Sequence, residues 1–343
     1  MGPPCNLYHP PQKSHYSVGK SPFLGLVMLL RIQREETIRS LLARNFLFNS
    51  DSPSFKEFKR LANRPIGTKE LRAIAEDLGW PGCHGFNRLL HNHTSYPDAS
   101  IFRFREDISY SNSVYLYDDR AIDFGLEEPA FCPECIREDI ARLGYPVWRR
   151  EICSINTVCG KHELKLLRGC PYCPKDNLRN EHSILAMWNG CNGRHYVDAP
   201  AIAVNDVSSN LRAKFRWQAF NSGYVISIEA ALLAMHERCS LSDFSKLQND
   251  CNDREIIEMT NRSIREIESG AFVFRGMRID RCSHLIWYYA PVIYGDFNNF
   301  LDDVRSFEPE PIRATSLFST YISWGRDVPN FIVEDCVGAD SSS

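Results

Sequence analysis

The 343-residue sequence has no apolar stretch long enough to cross a membrane. The run Phe23–Leu30 is closed by Arg31, whereas a helical span needs about 20 residues. The Pro- and His-containing leader 1–22 shows no clear small-residue cleavage site, and the start MGPPCN lacks the Ser or Thr of a myristoylation signal. The expectation is a flexible leader on a soluble, cytoplasmic chain with no membrane partner. An excess of charge is also missing. Forty Lys and Arg face 43 Asp and Glu, the net charge is −3 and the pI about 6.4. That excludes a uniformly basic nucleic-acid coat and leaves only local patches for such contact. No internal repeat of fixed period is present. The cysteines do not pair off either: there are 13, an odd number that fits a disulfide scaffold poorly.

What is there is an ordinary globular composition, with 43% hydrophobic and 24% charged residues, enough for two or three domains. Cysteine placement divides it. Cys132, Cys135, Cys153, Cys159, Cys170 and Cys173 fall close together and Cys191 follows, while the other cysteines are scattered. The predicted organisation is a leader (1–22), an N-terminal helical region with a helix-turn-helix (23–125), a tandem zinc-ribbon module (126–203), a C-terminal helical, winged-helix-like region (204–337) and a frayed tail (338–343). The fold class is mainly α with a little β.

In the N-terminal part, Glu35 and Glu36 read as the first turn of a helix, where negative charge suits the dipole. Ile38, Leu41, Leu42 and Phe46 follow at helical spacing. Phe55, Phe58 and Leu61 mark a second helix over 54–62. Thr68 opens a third, carrying Leu71, Ile74, Ala75 and Leu78, with Gly79 as its C-cap. After the turn Trp80-Pro81-Gly82, a fourth carries Phe86, Leu89 and Leu90. Helix, short turn, helix is the helix-turn-helix pattern. The last helix offers His84, Asn87, Arg88, His91, Asn92 and His93 as polar groups for a groove. Nucleic-acid contact, protein contact and plain scaffold all remain open for this pair.

The middle carries the chemistry. Cys132-Pro-Glu-Cys135 is a C-x2-C knuckle, and Cys159-Gly-Lys-His162 follows as C-x2-H. Cys170-Pro-Tyr-Cys173 is a second C-x2-C, and Cys191-Asn-Gly-Arg-His195 a C-x3-H. A C-x2-C turn aims two thiolates at one point, and a second knuckle completes a tetrahedron, as zinc requires. Two zinc ions are therefore expected, one on Cys132, Cys135, Cys159 and His162, the other on Cys170, Cys173, Cys191 and His195. Cys153 competes with Cys159, and His182 with His195. Four protein ligands leave no place for an activated water, so the ions are expected to be structural.

The stretch FCPECIREDIARLGYPVWRREICSINTVCGKHELKLLRGCPYC resembles the TniQ family. The likeness rests on Cys132 to Cys135, Gly144-Tyr145, Trp148-Arg149-Arg150, Cys159 to His162, Leu164 with Leu166 and Leu167, and Cys170 to Cys173. Trp188 to Cys191 looks like the family's second ribbon, and Glu35 to Asn45 like its N-terminal helix. The resemblance spans roughly residues 35–203. The C-x3-H ending departs from relatives that close with C-x2-C, and so does the long leader. The resemblance implies a non-catalytic target-selection protein of a bacterial transposon, related to TnsD. Such proteins recruit the AAA+ regulator TnsC and, through it, the transposase. Some bind an attachment site directly; others dock as a dimer on the guide-RNA complex Cascade.

In the C-terminal part, Ser240 with Asp243 reads as a capping box. Ile256, Ile257 and Met259 form one apolar face, and Ser263 with Glu266 caps a further short segment. Phe272 and Phe274, the turn Arg275-Gly276, then Met277 and Ile279 read as a hairpin, giving a winged-helix shape. Arg262, Arg265, Arg275, Arg278 and Arg281 cluster there, and with Arg88 they are the nucleic-acid candidates. Interleaved glutamates argue for a solvated, salt-bridged face instead. Trp287-Tyr288-Tyr289 reads as core or protein interface. The leading expectation is an adaptor between Cascade and TnsC, acting as a homodimer. A TnsD-like direct DNA binder is the alternative. A zinc hydrolase is weakest, because no spare His or carboxylate constellation accompanies an open metal position.

Overall fold

The computed structural model describes residues 30–49, 66, 68–80, 82–103, 130–150, 157–173, 185–241, 253–269, 277–308 and 312–313. The leader, the helix expected over 54–62, Cys153, His182, Asp243, Phe272, Phe274, Arg275 and the tail lie outside them.

Helix α1 (Ile38–Asn49) starts where the Thr37 hydroxyl accepts the Ser40 backbone N–H at 3.1 Å. Glu35 and Glu36 therefore precede the helix rather than forming its first turn. Glu35 has a φ of 62°, and both carboxylates are buried. Helix α2 (Thr68–Asp77) buries Leu71, Ile74 and Ala75 and ends at Gly79, whose φ of 77° needs a residue without Cβ strain. Helix α3 (Gly82–His93) packs back on α2. Leu41, Leu71, Ile74, Phe86, Leu89 and Leu90 form this N-terminal core.

A one-turn helix α4 (Pro97–Ser100) leads to strand β1 (Phe102–Arg103). The middle region holds β2 (Ala130–Phe131), helix α5 (Pro133–Leu143), β3 (Leu167–Arg168), the short helix α6 (Ala186–Asn189) and a 3-10 turn (Tyr196–Asp198). β2 and β3 pair antiparallel, with Phe131 opposite Leu167.

The C-terminal region is helix α7 (Val207–Ser222), strand β4 (Tyr224–Ser227) and helices α8 (Ile228–Leu241), α9 (Asp253–Glu268), α10 (Met277–Tyr294) and α11 (Phe297–Val304). Strand β5 (Ile312–Arg313) follows. Asp206 caps α7 and Asp296 caps α11, each accepting the backbone N–H two residues on. On α11, Phe297, Phe300, Leu301 and Val304 repeat at helical spacing and all face the core. β1 runs parallel to β4, and β5 antiparallel to it. Phe102, from the N-terminal part, thus enters the C-terminal core, 4.8 Å from the Trp287 ring. Trp287 is buried there, as expected.

Three readings of the C-terminal sequence change. Ser240 is in the last turn of α8, where its hydroxyl bonds back to the His236 carbonyl at 2.8 Å, and its expected box partner Asp243 lies outside the described residues. Ser263 lies inside α9, one helix of 16 residues rather than two short segments. Met277 and Ile279 belong to α10, not to a strand. Helical periodicity overrides the local cap signature in both helices. No helix among the described residues is long and apolar enough to cross a membrane.

Candidate metal centres

The first cluster is assembled by a turn and a helix start. Cys132 is the N-cap of α5, Pro133 its first residue, and Cys135 sits in its first turn. The second knuckle is held by the Cys159 N–H to the Leu164 carbonyl at 2.8 Å and by the Glu163 N–H to the Cys159 carbonyl at 2.9 Å. Gly160 lies so close to α7 that a Cβ there would meet the Ala213 carbonyl oxygen at 2.3 Å. The knuckle is therefore seated on the C-terminal region.

The four ligand atoms converge. His162 Nδ1 lies 3.5 Å from Cys132 Sγ, 3.4 Å from Cys135 Sγ and 3.7 Å from Cys159 Sγ, and the last two sulfurs are 3.7 Å apart. A tetrahedral zinc site with Zn–S of about 2.3 Å and Zn–N of about 2.0–2.1 Å puts sulfurs about 3.8 Å apart and sulfur and nitrogen about 3.5 Å apart. The observed edges match. A disulfide needs about 2.05 Å, so these are free thiols. Hydrogen bonds from Cys135 and Cys159 hold the Cys132 thiol pKa below its ordinary value, a thiolate-favouring setting.

The second cluster brings together Cys170, Cys173 and Cys191, their sulfurs all within 4.8 Å of one another. His195, expected as its fourth ligand, is not in that group. The hairpin explains why. Cys191 and Arg194 exchange both backbone hydrogen bonds, at 2.8 and 2.9 Å, across the Asn192-Gly193 turn. Both turn residues have positive φ, as a tight turn of this type requires. Directly opposed residues share a face and the next one points away. Arg194 therefore shares the Cys191 side, where its guanidinium lies 5.6 Å from the Tyr172 ring centre. His195 is exposed on the other side, with its ring against Gly190. The x3 spacing places the imidazole one residue past the position an x2 knuckle would use.

Sequence reasoning missed two residues here. Tyr196, one position on, returns to the cluster side and is buried in a stack with Phe131 at 4.6 Å. Burial and the neighbouring Cys170 raise its phenol pKa. Glu138, one helical turn after Cys135, accepts from His162 Nε2 at 3.1 Å. Its spacing of three from a ligand on a Pro-started helix is the signal that finds it.

The first cluster borders a buried ionic framework. Glu36 accepts two bonds from Arg44 at 2.7 Å, with a third from Ser40 at 2.8 Å. Arg149 bridges Glu35 of the N-terminal part and Asp139 of α5. Arg150 donates to the His91 carbonyl and, at 2.8 Å, to the Phe220 carbonyl of α7. The Trp148 carbonyl accepts the Thr37 N–H at 2.8 Å. The run Trp148-Arg149-Arg150 thus joins all three parts of the chain.

The nucleic-acid candidates scatter. On α3, Asn87, His91 and His93 are buried, and His93 Nδ1 donates to the Glu36 carbonyl at 2.7 Å. These three are turned inward and offer nothing to a groove. Burial lowers the His93 pKa to about 3, so its imidazole is neutral. Arg88 is half-buried, its guanidinium stacked 4.1 Å over Trp80. Arg262 and Arg265 are exposed on α9, and Arg278 lies in the first turn of α10.

Fold and site together define a mainly helical protein with two cysteine-rich clusters able to hold metal ions. No protein-family model and no curated protein matches the chain.

Proposed function

We propose that the chain is a non-catalytic adaptor of the TniQ kind, linking a guide-RNA Cascade complex to the AAA+ regulator TnsC and so to a transposase. Two zinc ions shape its middle region in this reading, the first closed by four protein ligands and so structural, and a homodimer is the acting form. One observation carries it. The stretch that most resembles that family, residues 131–173, is also the stretch that buckles the chain together through Trp148, Arg149 and Arg150. A rigid block with four-ligand metal closure suits a bridge between partners better than a reaction centre. The inward turn of Asn87, His91 and His93 favours docking over direct base reading by α3.

The test is co-purification of the full chain with guide-loaded Cascade and with TnsC, set beside a gel shift on attachment-site DNA. Capture of both partners with no shift supports the adaptor. A shift without Cascade, and no capture, overturns it in favour of a direct DNA binder.

A further inference from the structure

We infer that Glu138 is the positioning residue of the first metal centre, holding His162 in the tautomer and orientation that present Nδ1 to the ion. This inference rests on metal binding at that cluster and not on the transposition reading.

The geometry is specific at both ends of the imidazole. Nδ1 faces three sulfurs at 3.4 to 3.7 Å. Nε2 faces Glu138 Oε1 at 3.1 Å. A metal-ligating nitrogen carries no proton, so the neutral ring must hold its proton on Nε2. A carboxylate is an acceptor and nothing else, so it favours that tautomer and adds electron density to the ring. Glu138 and Cys135 lie one turn apart on α5, so the residue that orients one ligand is rigidly fixed to another. The other Glu138 oxygen pairs with Lys161, next to His162 in the knuckle turn. Glu138 therefore ties the Cys159–His162 knuckle to the Cys132–Cys135 knuckle by a route that bypasses the ion. The second cluster has no such carboxylate–imidazole pair among the described residues.

Loss of a partner of this kind costs roughly 10–100-fold in metal affinity. Glu138 is 42% exposed, so water competes and the low end, about 10-fold, is expected. The experiment uses the full chain loaded with zinc alone and follows release to a chromogenic chelator. Cys159→Ser and Cys191→Ser assign each release step to its cluster. Nitrogen-15 spectra read the His162 tautomer. Glu138→Ala should weaken only the first ion, about 10-fold, with His162 losing its slowly exchanging Nε2 proton. Glu138→Gln, whose amide oxygen still accepts, should weaken it less. Lys161→Met should leave it within about twofold. First-ion affinity unchanged in Glu138→Ala would overturn the assignment. So would an equal loss in Lys161→Met, which would reduce Glu138 to a salt-bridge partner.

Discussion

The two cysteine clusters are built from similar sequence and end up in unlike surroundings. The first closes with four groups, rests on α7 through Gly160 and shares α5 with the buried Arg149 bridge. The second is a trio of thiols with Cys170 and Cys173 only half-buried, on a hairpin whose histidine faces away. Knuckle spacing alone does not make a site. The register of the turn decides which side chains reach the ion, and the packing around it decides how much of the chain depends on it.

The largest effect should come from breaking the comparison outright. Cys135→Ser should lose one zinc and loosen all three parts together, because this cluster joins α5 to a knuckle seated on α7. Cys173→Ser should lose the other zinc with a smaller fall in thermal midpoint. Equal falls would show that the two clusters are tied in equally.

Next is Arg149→Met. It leaves Glu35 buried without its ion-pair partner and Asp139 with only the more exposed Arg142 at 3.5 Å, at a cost of about 3–5 kcal/mol in denaturant unfolding. A cost under about 1 kcal/mol would show that the bridge does not hold the first cluster's surroundings together.

A glycine pair sharpens the contrast. Gly160→Ala forces a Cβ against the α7 backbone and should cost about 1–3 kcal/mol. Gly193→Ala meets nothing within 4 Å and should cost about 1 kcal/mol, from its φ of 72° alone. Reversal of that order in chemical denaturation would contradict the seating of the first knuckle.

The smallest effect is one of pH. His93 is neutral in the fold, with its pKa lowered from 6.5 to about 3. Between those values the unfolded chain binds the extra proton. Its contribution is therefore fully present above pH 6.5 and is lost as pH falls towards 3. His93→Gln should flatten that acid limb by up to about 1.4 kcal/mol per pH unit, read from unfolding at stepped pH. An unchanged slope would mean that His93 is not buried as a neutral donor.

Much of this was legible in the sequence. Periodicity and Gly79 gave α2, and the knuckles named seven of the residues that converge. What failed did so where tertiary partners decide. Glu35 and Glu36 look like helix-dipole carboxylates until Arg149, more than a hundred residues away, arrives beside Glu35. Asn87, His91 and His93 look like a recognition face until the fold buries all three, with His93 on the Glu36 carbonyl and Arg150 on the His91 carbonyl. His195 has the right chemistry, but a one-residue register displaces it, and register belongs to the hairpin rather than to composition.

Metal content per chain tests the central claim most directly. Purified wild-type protein should carry about two zinc ions, one for each cluster. His195→Ala should keep both, and His162→Ala should weaken or lose the first. One ion or none in the wild type, or loss of the second ion in His195→Ala, would contradict the account.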